Sequence, residues 1–107
     1  MSILQFVAWF FAGGLLINTV PHLVAGLQGR SFQSPFAKPP GKGLSSPLTN
    51  VVWGFVNLAA SWALFTQVGE FDLTNCVHAA AAACGGLFSG LFLAVHFGRL
   101  YASADRP

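Results

Sequence analysis

The chain has 107 residues, of which 54% are hydrophobic and 7% are charged. Soluble domains carry about 25% charged residues, so this composition excludes a water-soluble domain with a charged surface. The net charge of +2 is too small to indicate a nucleic-acid-binding surface, and no nucleic acid partner is expected.

Three long stretches contain no Asp, Glu, Lys or Arg: residues 3–29, 43–69 and 73–98. Each is longer than the roughly 20 apolar residues with which a helix crosses a bilayer. The sequence therefore predicts an all-α integral membrane protein with transmembrane helices at about 4–27, 47–68 and 74–100. One domain covering residues 1–107 is expected, because three helices cannot be divided into two cores.

The first helix carries one narrow stripe of small and polar residues. Gly14, Asn18, His22 and Gly26 follow one another at intervals of four, which places them on a single face. Pro21 removes one backbone hydrogen-bond donor from this helix, so a kink is expected there.

The loop at 28–46 is the only long polar stretch, and it contains Arg30, Lys38 and Lys42 but no acid. Its density of proline and glycine predicts that no regular helix or strand forms in it. Its basic side chains could contact anionic lipid headgroups, although a role as topology signals alone is the favoured interpretation.

The second helix has a clear start, because Ser46 can cap it and Pro47 suits the first helical position. Four of its residues are expected on one face at helical spacing. They are Asn50, Gly54, Asn57 and Ser61.

The third helix can be capped by Thr74 or Asn75. It has a face of small residues, and His96 lies two turns beyond that face on the same side. The small residues are Ala82, Gly86, Ser89 and Gly90.

Glycine and alanine let helices approach closely, and asparagine side chains hydrogen-bond between helices. The simplest packing therefore turns the three stripes toward one another. The residues predicted to serve helix packing are Gly14, Gly54, Ala82, Gly86 and Gly90.

The basic residues all flank one end of the predicted helices, whereas Glu70 and Asp72 flank the other. By the positive-inside rule, the N-terminus is outside and the long loop and C-terminus are cytoplasmic, as expected for a multi-pass protein of a bacterial inner membrane. The basic residues are Arg30, Lys38, Lys42, Arg99 and Arg106. Aromatic residues near helix ends are predicted to sit at the membrane interfaces. These are Trp9, Trp53, Trp62 and Tyr101.

Depth along the helices places His22, Asn50 and His96 in one layer, with Asn18 and Asn57 deeper. Because polar side chains are costly inside a bilayer, these five residues are the candidate ligand-binding set. Paired His22 and His96 could ligate haem, and another metal is possible, although no CxxCH motif for covalent haem is present. No carboxylate lies within a span and no catalytic residue is assigned, which makes an enzyme the less favoured class.

Three functions remain open from the sequence. The first is a non-enzymatic accessory or self-associating subunit, assembled as a homo-oligomer or with a partner membrane subunit through the glycine and alanine face of the third helix. The second is a protein that binds haem, a quinone or a transported solute in the cytoplasmic leaflet. The third is an oligomeric pore or carrier.

Overall fold

The computed structural model describes residues 2–104, and Met1 and residues 105–107, which include Arg106, lie outside the described part. It contains three helices: α1 (Ile3–Leu27), α2 (Pro47–Gln67) and α3 (Cys76–Ala104). All three are long and apolar enough to cross a membrane. The prediction of three such helices is confirmed, although α3 begins two residues later and ends four residues later than predicted.

The loop contains a short antiparallel pair of strands, β1 (Phe32–Gln33) and β2 (Leu44–Ser45). Phe32 pairs with Ser45, and Gln33 pairs with Leu44. The prediction that no strand forms in this loop was therefore wrong. The prolines and glycines lie between the two strands, so the ends of the loop remain free to pair.

Side-chain caps begin all three helices. Ser2 Oγ accepts a hydrogen bond from the Gln5 backbone N–H at 3.1 Å, and the Gln5 side-chain oxygen accepts one from the Ser2 backbone N–H at 3.0 Å. Ser46 caps α2 with Pro47 at its first position, as predicted. Asn75 Oδ1 accepts from the Val77 N–H at 2.9 Å, which confirms Asn75 as the cap of α3.

The central element is α1, which packs against both α2 and α3, whereas α2 and α3 make almost no contact with each other. The expectation that three stripes face a common axis was wrong in this respect. The reason is that α1 has small residues on more than one side: Ala8, Ala12 and Gly13 are buried in addition to His22. One helix can therefore receive a partner on each of two faces.

The α1–α3 contact is close because both helices present glycine. A Cβ atom added to Gly85 would overlap the Phe10 carbonyl, and one added to Gly13 would overlap the Ala82 carbonyl. Ala81 is fully buried here, so the centre of the contact lies one residue before the predicted face. An unbroken run of five alanines at 79–83 carries no periodic signal from which the buried face could have been predicted.

The predicted packing glycines also lie at contacts within the chain. Gly86 and Gly90 lie against Ile17 of α1, Gly14 lies against Gly85, and Gly54 lies against Leu23. Part of the small-residue face of α3 thus contacts α1 of the same molecule.

The α1–α2 contact is joined by hydrogen bonds between side chains and backbone. Ser61 Oγ donates to the Ala12 carbonyl at 2.7 Å, and Asn18 Nδ2 donates to Asn57 Oδ1 at 3.0 Å. Such bonds contribute about 0.6–2 kcal/mol each between membrane helices. The prediction for the face of α2 is confirmed, because its buried residues are the four residues expected from spacing: Asn50, Gly54, Asn57 and Ser61.

At the end of the bundle opposite the loop, Trp9 is 1% exposed. Its indole N–H donates to the Val68 carbonyl at 3.0 Å, and its ring packs edge-on against Phe71 and beside His78. The turn after α2 folds over Trp9 and buries it, and the interfacial depth of this residue stays a prediction. In that turn, hydrogen bonds from Thr74 hold the pKa of Asp72 below its ordinary value.

We predict that Gly85→Ala lowers the free energy of unfolding by about 1–3 kcal/mol, because its methyl group must push α3 away from α1. The matched control is Gly98→Ala, since a Cβ at Gly98 meets no atom within 4 Å. This control should be neutral or stabilising by up to ~1 kcal/mol, because alanine favours helix. Equilibrium unfolding in detergent micelles measures both, and equal effects of the two changes would contradict the close α1–α3 contact.

Candidate functional site

A cavity of about 280 Å³, here called the loop cavity, lies where the loop covers the three helices. The described residues that line it include no charged side chain. Phe92 and Phe97 of α3 form part of its apolar wall. The polar side chains in the lining are Asn18, His22, Gln33, Ser34, Trp53 and His96.

The loop is fastened to α3 on one side of this cavity. His96 Nε2 donates to the Gly41 carbonyl at 2.7 Å, and the Tyr101 hydroxyl donates to Gln33 Oε1 at 2.7 Å. Within the loop, the hydroxyls of Ser34 and Ser45 are hydrogen-bonded to each other. These contacts hold the loop as a defined cover rather than a slack linker.

Asn50 fastens the other side of the loop and is completely buried. Its Nδ2 donates toward three carbonyl oxygens, those of Phe32 at 3.1 Å, Ser45 at 3.2 Å and Ser46 at 3.0 Å. Carbonyl oxygens only accept, so the atom that faces them must be the amide nitrogen. The amide oxygen is thereby directed to His22, whose Nδ1 lies 2.8 Å away.

This arrangement determines the tautomer of His22. An amide oxygen only accepts, so Nδ1 carries the hydrogen and the neutral ring keeps a lone pair on Nε2. Among residues 2–104, no group forms a hydrogen bond with that Nε2, although His22 is only 4% exposed. A histidine oriented in this way through its other ring nitrogen is prepared to accept a hydrogen bond or to bind a metal.

Trp53 adds an unsatisfied donor in the same region. Its indole Nε1–H is buried and has no acceptor within the described chain. A buried donor without a partner costs about 1–3 kcal/mol, and such groups are rare unless they serve a function. The Trp53 ring lines the loop cavity, lies 6.4 Å from the His22 ring, and packs edge-on against Phe36.

The geometry does not fit a haem held by two histidines. The Nε2 of His96 donates to Gly41, so within this pair only His22 has an Nε2 without a hydrogen bond. In the described residues there is also no group of three His, Cys, Asp or Glu side chains that could hold a metal ion. At about 280 Å³, the loop cavity is slightly smaller than the roughly 300–1,000 Å³ typical of small-molecule pockets.

Of the five residues predicted to bind a ligand, the structure places Asn18, His22 and His96 in the lining of the loop cavity. Asn50 and Asn57 lie behind it: Asn50 orients His22, and Asn57 bonds to Asn18 and to the Trp53 carbonyl. The three predicted headgroup contacts are all exposed on the loop. They are Arg30, Lys38 and Lys42.

Sequence reasoning missed Gln33, Ser34 and Trp53 as cavity residues. Gln33 and Ser34 had no periodic signal because they belong to the irregular loop. Trp53 had one, because it lies three residues after Asn50 and four before Asn57 on a polar helix face. Its position near a helix end favoured an interfacial role instead.

The chain matches no protein family, no curated protein and no solved structure at a significant level. The fold and the site therefore define a class from geometry alone. That class is a three-helix protein with candidate membrane spans and an uncharged cavity that contains an oriented histidine.

We predict that Asn50→Ala lowers the free energy of unfolding by about 2–4 kcal/mol, because it leaves His22 and three loop carbonyls without their partner. Asn18→Ala, which removes one partly buried bond, should cost about 1 kcal/mol. Trypsin should also cut after Arg30 or Lys42 faster in Asn50→Ala than in Asn18→Ala. Unchanged cleavage in both variants would show that Asn50 does not hold the loop.

Proposed function

We propose that this is a non-enzymatic, multi-pass membrane protein that binds an uncharged, lipid-soluble molecule in the loop cavity. The observation that carries the proposal is the orientation of His22 by Asn50, which leaves Nε2 without a hydrogen bond in a residue that lines the loop cavity. A ligand with a hydroxyl or N–H group would donate to this nitrogen.

The absence of charge in the described lining determines the class of ligand. Transfer of an ion into an apolar site without a partner is very costly, so a neutral molecule fits this cavity best. Trp53 belongs to the same lining, and its buried N–H, which has no acceptor among the described residues, would be a complementary donor to a ligand oxygen once the ring shifts toward the cavity. An alcohol, phenol or quinol combines a donor and an acceptor in one group.

The wall of the loop cavity reaches the outside of the bundle at Phe92, which is 67% exposed. Around α3, the neighbouring outward residues are apolar and exposed as well, including Leu91 and Val95. A surface of this kind is in contact with hydrocarbon when the helix crosses a membrane. Entry of the ligand from the lipid phase follows from this position.

A binding role has more support in the geometry than assembly through α3 or a pore. Part of the glycine and alanine face of α3 already packs against α1, which leaves less of it for contact with a second copy. The polar residues that could line a pore are bonded within the chain, as Asn18 is to Asn57 and Ser61 is to Ala12.

In the proposed orientation, the end of the bundle that carries the loop faces the cytoplasm. It is supported by Arg30, Lys38, Lys42 and Arg99 at that end, with Glu70 and Asp72 at the other. Among the described residues there is no acid at the loop end.

We expect a membrane-impermeant maleimide to label Cys76, which is exposed beside the acidic turn, in intact bacterial spheroplasts. A single cysteine at position 38, made by Lys38→Cys in a Cys76→Ser, Cys84→Ser background, should be labelled only after permeabilisation. The reverse pattern would invert the orientation.

We expect the purified protein to bind 2-naphthol about 5–10-fold more tightly than naphthalene after correction for partition into detergent, because only the hydroxyl can donate to His22. Equilibrium dialysis measures both affinities. His22→Phe should abolish this preference, whereas His78→Phe at the opposite end should retain it.

Trp53→Phe keeps the aromatic ring and should reduce the preference about fivefold, which tests the site even if His22→Phe folds poorly. Equal binding of the two probes by the wild-type protein would contradict the proposal. If the preference is found, solvent extraction of the protein purified from native membranes, followed by mass spectrometry, identifies the natural ligand.

A further inference from the structure

A second cleft lies outside the loop cavity, on the outer side of α3 at the loop end. It has a volume of about 440 Å³ and is here called the α3 cleft. Its polar lining consists of Lys42, His96 and Arg99, and its apolar lining of Phe92, Val95 and Leu100. It shares only His96 and Phe92 with the loop cavity.

Lys42 is held at this cleft by the backbone next to it. The Gly41 carbonyl accepts from His96 Nε2 at 2.7 Å, and Gly41 has a φ of +72°, a conformation that favours glycine. The residue after Gly41 is thereby brought against α3. Arg99 lies three residues beyond His96, so it is on the same side of the helix as the bond that fastens the loop.

The two cations in the α3 cleft have no carboxylate beside them in the described lining. Glu70 and Asp72, the acids of residues 2–104, lie in the turn that covers Trp9 at the far end of the bundle. Two basic side chains that face one cleft repel each other unless an anion lies between them. The site is therefore complementary to a negatively charged group.

The apolar part of the cleft indicates where that anion comes from. Phe92 and Val95 are 67% and 52% exposed, and they precede Arg99 by seven and four residues on the same helix face. The basic pair lies at the end of a candidate membrane span, and the exposed apolar side chains lie next to it, deeper along the same span. This arrangement matches a phospholipid, in which a charged headgroup is attached to an acyl chain.

We propose that the α3 cleft binds the phosphate of an anionic phospholipid. Lys42 and Arg99 contact the phosphate, and Phe92 and Val95 contact the acyl chain. Among the basic residues of the loop, the proposal assigns this lipid contact to Lys42 alone. Arg30 lines a different cleft together with Pro21 and Tyr101.

The test is a titration of detergent-solubilised protein with phosphatidylglycerol and, separately, with phosphatidylcholine, with bound lipid counted by native mass spectrometry. We expect phosphatidylglycerol to bind more tightly. Lys42→Gln and Arg99→Gln should each weaken its binding about fivefold, the effect of removing one basic contact near the membrane surface.

Arg30→Gln and Lys38→Gln remove the same charge from exposed loop positions and are the matched controls, with less than about a twofold effect expected. Equal weakening by all four variants would overturn the proposal, because it would show general attraction to a basic surface. Displacement of the lipid by inorganic phosphate at a concentration equal to that of the lipid would also overturn it, since phosphate alone would then bind as tightly as the whole lipid. Unchanged binding by Lys42→Gln and Arg99→Gln would do the same.

Discussion

The buried side chain of Asn50 joins the loop to α1 and α2, and the orientation of His22 in the cavity depends on it. Its amide nitrogen serves three carbonyls around the β1–β2 pair, and its amide oxygen serves His22. Because an amide has distinct donor and acceptor ends, one residue sets both the position of the loop and the tautomer of the histidine. In an apolar surrounding, such a group is costly unless every partner is present, so the arrangement is all-or-none.

The spans could be predicted from the sequence because they depend on the distribution of charge, which needs no knowledge of packing. The face of α2 could be predicted because Asn50, Asn57 and Ser61 are its costly residues in lipid and must turn inward. The face of α3 could not be predicted in the same way. Its small residues surround much of the helix near the alanine run, and its outward side is as apolar as its inward side, so hydropathy does not distinguish them.

For the site, depth along the helices correctly brought His22 and Asn50 together, since both lie near the loop ends of neighbouring helices. Depth alone could not reveal that Asn50 orients His22 from behind the cavity, whereas Trp53 lines the cavity itself. That distinction depends on where the loop crosses the helices. The crossing depends in turn on contacts between distant residues, such as Tyr101 with Gln33, that no local pattern encodes.

The middle position of α1 has a consequence for biogenesis. As the N-terminal of the three helices, it leaves the ribosome first, and it supplies nearly all of the docking surface for both later helices. When α2 and later α3 are inserted, α1 is therefore already in place, and α2 and α3 can each pack against it independently. A chain of this order can assemble stepwise during translation, with closure of the loop as the last event once α3 arrives.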